Sequence, residues 1–333
     1  MEKFNKPCSS RDEARSQWKI LMTGGSNPSK VFHSVHGAGL CYMSDVPSCC
    51  LNGAAVTLGI DEAGRGSILG PMTYGAAYWP TELAEEMEKK GFDDSKALTH
   101  EVRASLFKKI EDTPEVGYVV RVLQSSEISR NMFRAPVPYN LNDMSHDTAM
   151  DMLRRVLAAG VNVNKVYIDT VGIAENYKRK LDSAFYGQGI EFVVEKKADA
   201  KYKTVSAASI AAKVARDEIT SNWVFSEEGY EPVNGKQWNS GYPSDPQCKK
   251  WLQSNLMDPV FGFPDVVRFS WAPAKLALDE GAATVKWEAD DDEDEDENQP
   301  SMANFLVPSE NKKKRTRLGG FKVNKGLEMA ELF

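Results

Sequence analysis

The chain has too few cysteines, in the wrong arrangement, for a disulfide scaffold or a zinc ribbon. Its five (Cys8, Cys41, Cys49, Cys50 and Cys248) are odd in number and form no Cys-x-x-Cys pair. That pattern argues against both and favours a reducing compartment. No apolar run approaches the length of a membrane span, and the N-terminus has no basic-then-apolar leader. The expectation is a soluble intracellular protein without membrane contact. Internal repeats are absent. An excess of positive charge is missing as well, since the net charge is −7. That sign does not exclude nucleic acid, because eight consecutive acids at 290–297 supply much of it and distribution matters more than the sum.

What is present suffices for one large core or two smaller ones: 333 residues, 41% of them hydrophobic and 27% charged. Residues 1–53 contain Ser, Gly and Cys with no sustained period and read as a flexible extension. Residues 54–285 read as the folded domain, with a helical C-terminal part. Residues 286–333 read as a disordered tail, acidic and then basic.

The segment Leu58-Gly-Ile-Asp-Glu-Ala-Gly-Arg-Gly66 is the centre of the domain. Val56, Leu58 and Ile60 fall on one face of an extended run, with Thr57, Gly59 and Asp61 on the other. Asp61 and Glu62 then point to opposite faces, so the strand must end or bend there for both to serve one site. Gly64 and Gly66 supply that freedom and let backbone N–H groups approach a ligand. Two acids followed by Gly-Arg-Gly suit a divalent metal beside phosphates; an ordinary strand with a charged turn accounts for the segment equally well.

Further strands are predicted at Tyr74–Trp79, Val116–Val122, Lys165–Asp169 and Glu191–Glu195. Thr99 caps a helix that buries Val102, Leu106 and Ile110, and Ser145 caps one lined by Met150, Leu153 and Leu157 and stopped by Gly160. A long helix follows from about Val205 to Trp223. Three strands, a helix, then strands alternating with helices predict an α/β fold with a mixed sheet flanked by helices rather than an all-parallel one.

Asp169 ends its strand, where catalytic side chains collect in open α/β sheets. Ile210, Val214 and Asp217 are spaced i, i+4, i+7, which puts Asp217 on the apolar face of the long helix. A carboxylate there is costly unless paired or bound to a cation; a simple pair with Lys213 would suit an exposed Asp instead. Asp199, in a loop with Lys196, Lys197, Lys201 and Lys203, is a rival acid that more readily organises that loop. If Asp61, Glu62, Asp169 and Asp217 meet, repulsion raises some of their pKa values. Divalent ions relieve it, and an all-oxygen donor set selects magnesium or manganese over zinc. The chemistry implied is phosphodiester hydrolysis with two ions roughly 3.5–4 Å apart.

Seven ordered motifs carry a family resemblance across Leu58 to Trp271: Asp61-Glu-Ala-Gly-Arg-Gly66, Asp94-Ser-Lys-Ala-Leu98, Tyr139-Asn-Leu-Asn142, Tyr167-Ile-Asp-Thr-Val-Gly172, Lys197-Ala-Asp199, the run Ser206–Asp217, and Ser240-Gly-Tyr-Pro-Ser-Asp245. The chain resembles type 2 ribonuclease H. Ser145-His-Asp-Thr148, Val260-Phe-Gly-Phe-Pro264 and Arg268-Phe-Ser-Trp271 bring it closer to the catalytic, larger polypeptide of the eukaryotic enzyme. The resemblance implies a ribonuclease H-like fold with a C-terminal helical extension. It implies cleavage of the RNA strand in RNA–DNA hybrids and of single ribonucleotides within duplex DNA, on their 5′ side, leaving 3′-hydroxyl and 5′-phosphate. Roles in ribonucleotide removal and primer removal go with it.

The family's metal carboxylates fall on Asp61, Glu62, Asp169 and Asp217. Its 2′-hydroxyl reader falls on Gly64, Arg65 and Gly66, consistent with the 2′-hydroxyl marking RNA. Its sugar-stacking tyrosine falls on Tyr242 and its phosphate lysine on Lys96, with Asn142 a further substrate contact. Read without the family, Tyr242 is a turn aromatic before Pro243 and Lys96 a solvated loop charge. His146 lacks metal-ligand spacing and reads as a first-turn helix residue. Ser67 stands where many relatives have proline. Two accessory subunits, making a heterotrimer, are also implied.

In the tail, Gln299, Met302, Phe305 and Leu306 resemble a sliding-clamp peptide, with Leu306 in place of the usual second aromatic. Lys312–Arg315 with Arg317 predicts nuclear localisation, with the cytosol as a second compartment, or attraction to nucleic acid. The competing functions are a transposase-like DNA nuclease, which gives no reason for Gly-Arg-Gly and Tyr242, and a hybrid-binding scaffold that does not cut.

Overall fold

Six strands form one sheet: β1 (Cys41–Met43), β2 (Val56–Ala63), β3 (Met72–Pro80), β4 (Gly117–Leu123), β5 (Val163–Asp169) and β6 (Glu191–Glu195). Their order is β1-β4-β3-β2-β5-β6. The computed structural model describes Ser16, Trp18 and residues 40–92, 99–227, 229, 230, 233, 237–256, 258 and 262–282. Strands β2, β3 and β4 make an antiparallel meander, to which β1 adds antiparallel on the outside. On the other side β5 runs parallel to β2, and β6 parallel to β5. This is the mixed sheet that the order of elements predicts.

Nine α-helices have their bounds among the described residues: α1 (Ala84–Lys89), α2 (His100–Glu111), α3 (Ser125–Met132), α4 (Leu141–Ala158), α5 (Ala174–Ala184), α6 (Ala198–Lys201), α7 (Lys203–Ser221), α8 (Pro246–Ser254) and α9 (Ala272–Gly281). Alternation in β2 sends Val56, Leu58 and Ile60 to one face, where they pack with Met144, Leu153 and Val156 of α4 and with Tyr177 and Leu181 of α5. The opposite face belongs to α7, whose Ala207, Ala208, Ala211 and Ala215 are all buried. No helix among the described residues is long and apolar enough to cross a membrane.

Small residues bring α7 close to the sheet. A Cβ on Gly59 would lie 2.3 Å from the Thr204 carbonyl carbon, and one on Gly75 would lie 2.1 Å from the Ala208 oxygen. Beside them Thr73 Oγ1 donates to the Ala212 carbonyl at 2.8 Å. Two glycines and one hydroxyl thus let the helix backbone rest directly on β2 and β3.

Three sequence expectations are corrected. The fold does not begin at 54: residues 40–53 already belong to it, since β1 pairs Cys41 with Arg121 and Cys50 is fully buried. Trp18 is also buried; it stacks on Tyr42 at 5.0 Å and donates Nε1–H to Tyr118 Oη at 3.2 Å. A three-residue strand is too short to show alternation, which hid it. Helix α4 starts a turn earlier than Ser145, because the Asn140 side chain caps it by accepting from Asp143 N at 3.0 Å. Ser145 lies inside the helix and donates to the Leu141 carbonyl. Finally, Val102 is 44% exposed, since α2 buries the stripe through Phe107 and Ile110 and turns Arg103 inward.

The contact of α7 with the sheet yields a prediction. Gly75→Ala should destabilise the fold by about 3 kcal/mol, at the upper end for overpacking because the obstacle is backbone. Urea unfolding of the full chain measures it.

Candidate active site

The C-terminal ends of β2 and β5 and the C-terminal half of α7 meet at one cleft of about 390 Å³. It is lined by all four predicted acids, Asp61, Glu62, Asp169 and Asp217, and by Arg65, Arg103, Lys213, Arg216 and Tyr242. Strand β2 does not bend between its two acids. It runs straight through Asp61 and Glu62, which pair with Gly75 and Tyr74, and ends at Ala63. Both acids reach the cleft because it opens at the strand end, where the two faces of the sheet are no longer separated.

Asp61 is buried on the α7 face and accepts the Glu62 N–H at 2.8 Å. Burial pushes its carboxyl up to about 7, with Asp169 adding to the rise and Ser209 and Lys213 opposing it. Lys213 itself donates to Ser209 Oγ at 2.7 Å. Glu62 is raised well above the ordinary carboxylate range by burial and then by Asp61, against the pull of Arg65. Asp169 closes β5, and its Oδ1 accepts the Ala198 N–H at 3.1 Å. That amide follows Lys197, held at φ 58 in the left-handed region, a local strain that aims it. Asp217 emerges from α7 at the cleft edge. Its Oδ2 accepts from Arg103 Nη2 at 2.6 Å and lies 3.3 Å from His100 Nδ1.

Four oxygen-donor acids around one cleft, two of them pushed towards protonation by burial and by neighbouring acids, fit a hard divalent ion. The fit is incomplete as the side chains lie. Among the described residues no three His, Cys, Asp or Glu side chains are grouped to hold one ion; Asp217 is engaged with Arg103 and His100 instead.

The glycine turn beside the acids is held from behind. Gly64 has φ +76, and a Cβ there would strike Arg216 Nε at 2.1 Å. The fully buried guanidinium of Arg268 donates to the carbonyls of Gly64 at 2.8 Å, Arg65 at 3.0 Å and Gly70 at 3.0 Å. Trp271 Nε1 donates to the Gly66 carbonyl at 3.3 Å. In a planar trans peptide the N–H points opposite to the C=O. The amides of Arg65 and Gly66 therefore face away from Arg268. The Arg65 side chain crosses to α4, where Nη1 donates to Ser145 Oγ at 2.7 Å and Nη2 donates to Asn142 Oδ1.

Tyr242 is 38% exposed and stands over Gly66, where a Cβ would come within 3.2 Å of its ring. Its turn is fixed by Asp245, which accepts from Ser240 Oγ at 2.6 Å and caps α8 through Gln247 N. Arg216 Nη2 donates to the carbonyls of Leu69 and Ser240, with its guanidinium 6.0 Å from the Tyr242 ring centre.

The other candidates divide. Asn142 joins the site through Arg65. Lys96 lies outside the described residues, as do Gln299, Met302, Phe305 and Leu306 of the tail. Asp199 is buried at the start of α6 and does not line the cleft. His146 packs face to face on Tyr177 at 3.8 Å with Nε2 3.0 Å from the Val171 carbonyl, a buried helix residue past the first turn. Sequence reasoning missed Arg103, Arg216 and Arg268 as parts of the site. Arg268 and Arg216 both stand within motifs of the family resemblance, but no neighbour of Arg268 along the chain signals that its side chain reaches back to Gly64.

A family model described as Ribonuclease HII matches residues 58–274. The A subunit of ribonuclease H2 from Bos taurus is 47% identical over 252 residues, 75% of this chain and 82% of that protein. The Homo sapiens protein of the same name is 46% identical, again over 75% and 82%. Among solved structures, ribonuclease H2 from Pyrococcus horikoshii superposes with a TM-score of 0.54 at 31% identity, covering 67% of this chain and 97% of the other. The PCNA:RNase HII complex from Archaeoglobus fulgidus gives a TM-score of 0.53 at 26% identity, covering 65% and 94%.

Two outcomes are expected. Asp61 binds its proton more tightly in the folded chain than in the unfolded one, so its favourable contribution is present in acid and is lost as pH rises through about 7. Asp61→Asn should therefore raise the melting temperature of the metal-free chain by a few degrees, more at pH 8 than at pH 4; thermal unfolding at both values measures it. Arg268→Met should leave the carbonyls of Arg65 and Gly70 without their donor and that of Gly64 with Ser67 alone, at a cost of about 3 kcal/mol of stability, read by chemical denaturation, with loss of cleavage from the loosened turn even where the chain stays folded.

Proposed function

The chain belongs to the ribonuclease HII family and is a ribonuclease H, and on that footing we propose that it cuts on the 5′ side of ribonucleotides in RNA–DNA hybrids and in duplex DNA carrying a single ribonucleotide. The observation that carries this reading is the cleft, where four acids share their walls with Arg65 and Tyr242. Acids alone suit any phosphodiester. The turn and the tyrosine supply a reason to prefer ribose.

In this reading Asp61, Glu62, Asp169 and Asp217 hold two divalent ions, magnesium or manganese. Such ions, when bound, supply an activated water and stabilisation of the leaving 3′ oxygen. The chain's own residues do the rest. The outward amides of Arg65 and Gly66 receive the 2′-hydroxyl, an acceptor as well as a donor. The fork from Arg65 to Ser145 and Asn142 fixes that turn against α4. The Tyr242 ring lies flat against the sugar of the next nucleotide, where a deoxyribose fits and a 2′-hydroxyl is crowded. Lys96 contacts a phosphate. The products are a 3′-hydroxyl and a 5′-phosphate.

The relatives' designation as one lettered component of ribonuclease H2 supports assembly with further subunits, which the family resemblance puts at two. The archaeal complex with PCNA supports a sliding clamp as the partner of Gln299, Met302, Phe305 and Leu306. Nuclear localisation and roles in ribonucleotide removal and primer removal follow from the same reading.

Asp61→Asn and Asp169→Asn are each expected to lower cleavage of a duplex with one ribonucleotide by at least about a thousandfold while the far-ultraviolet circular dichroism stays unchanged. An all-DNA duplex should remain uncut by the wild-type chain. Full activity in both variants would remove the metal assignment, and cutting of the all-DNA duplex would favour the transposase-like alternative.

A further inference from the structure

Asp217 differs from the other three acids in its company. Asp61, Glu62 and Asp169 take backbone amides or face one another, whereas the Oδ2 of Asp217 is claimed by Arg103 Nη2 at 2.6 Å and approached by His100 Nδ1 at 3.3 Å. Both partners come from α2, an element with no acid in the cleft. The pair is only about one-sixth exposed on each side, 16% for Arg103 and 17% for Asp217, so solvent screens it weakly. His100 Nε2 also reaches Glu218 Oε1 at 3.5 Å, which ties α2 to α7 a second time.

We propose that Arg103 is a positioning residue that holds Asp217 in reserve, as an internal cation on the oxygen a divalent ion would otherwise use. This rests on the metal reading of the same cleft. A guanidinium and a metal ion compete for one carboxylate oxygen. By linkage, each weakens the other's hold by the same factor. The arrangement explains why the acids share a cleft without three of them being grouped around one point among the described residues. Ion uptake at Asp61, Glu62 and Asp169 precedes recruitment of Asp217, which requires Arg103 to release it. The contact is a single one, from Arg103 Nη2, so a lysine that retains the charge retains the competition.

The test is calorimetric titration of Mn2+ into the full-length chain without substrate. Arg103→Gln is expected to tighten Mn2+ binding about tenfold, and Arg103→Lys to stay near wild type. Asp217→Asn, which leaves the Arg103 charge unpaired beside the cleft, should not tighten binding, and in that background Arg103→Gln should lose most of its effect. A purely structural role for Arg103 would instead leave the affinity unchanged or weaken it, in either background, and that result overturns the proposal. A gain that persists in the Asp217→Asn chain overturns it too. The metal reading is judged separately by Asp61→Asn: loss of Mn2+ binding there upholds it, while wild-type binding by that variant, or no binding by the wild-type chain, removes it and this inference together.

Discussion

The contact between helix α7 and the sheet is the constraint on which the site depends. Gly59 and Gly75 leave no side chain between helix and strands, and Thr73 ties its hydroxyl to the helix backbone. At that separation a residue near the helix end stands beside the ends of β2 and β5. Asp217 is therefore carried to Asp61 and Asp169 by backbone packing, not by attraction between the acids, which repel. The core does the work of assembling like charges because burying the apolar faces of β2, α4 and α7 outweighs that repulsion.

The repulsion is then managed locally. Arg65, Arg103, Lys213 and Arg216 line the same cleft as the four acids, one formal positive charge for each negative one. They are not equivalent. Lys213 lowers Asp61 through space, Arg65 lowers Glu62, and Arg103 binds Asp217 directly. Arg216 is turned instead to the carbonyls of Leu69 and Ser240, where it braces the turn that presents Tyr242.

The glycine turn follows a second logic. Its carbonyls are gripped from inside by Arg268 and Trp271, so peptide planarity turns its amides outward, away from Arg268. A buried arginine is expensive, and its pKa is pushed well down by burial. Donors placed on three carbonyls offset that cost and stiffen a turn whose glycines alone would leave it loose.

Much of this was legible in the sequence, and for identifiable reasons. Alternation marked β2, and short extended runs marked β3 to β6; the Thr99 cap marked α2 and the spacing of Ile210, Val214 and Asp217 marked α7; the order of elements called for a mixed sheet. The acids were legible because a carboxylate on an apolar stripe or at a strand end is chemically out of place. Short or rotated elements escaped: β1 has three residues, Trp18 has no periodic neighbours, and the buried stripe of α2 was read one residue off, which hid Arg103. What only the tertiary structure decided is pairing across distance. Arg103 with Asp217, Arg268 with Gly64 and Arg216 with Ser240 join residues whose separation along the chain carries no local signal, since a long side chain declares its partner only once the backbone has brought the two together.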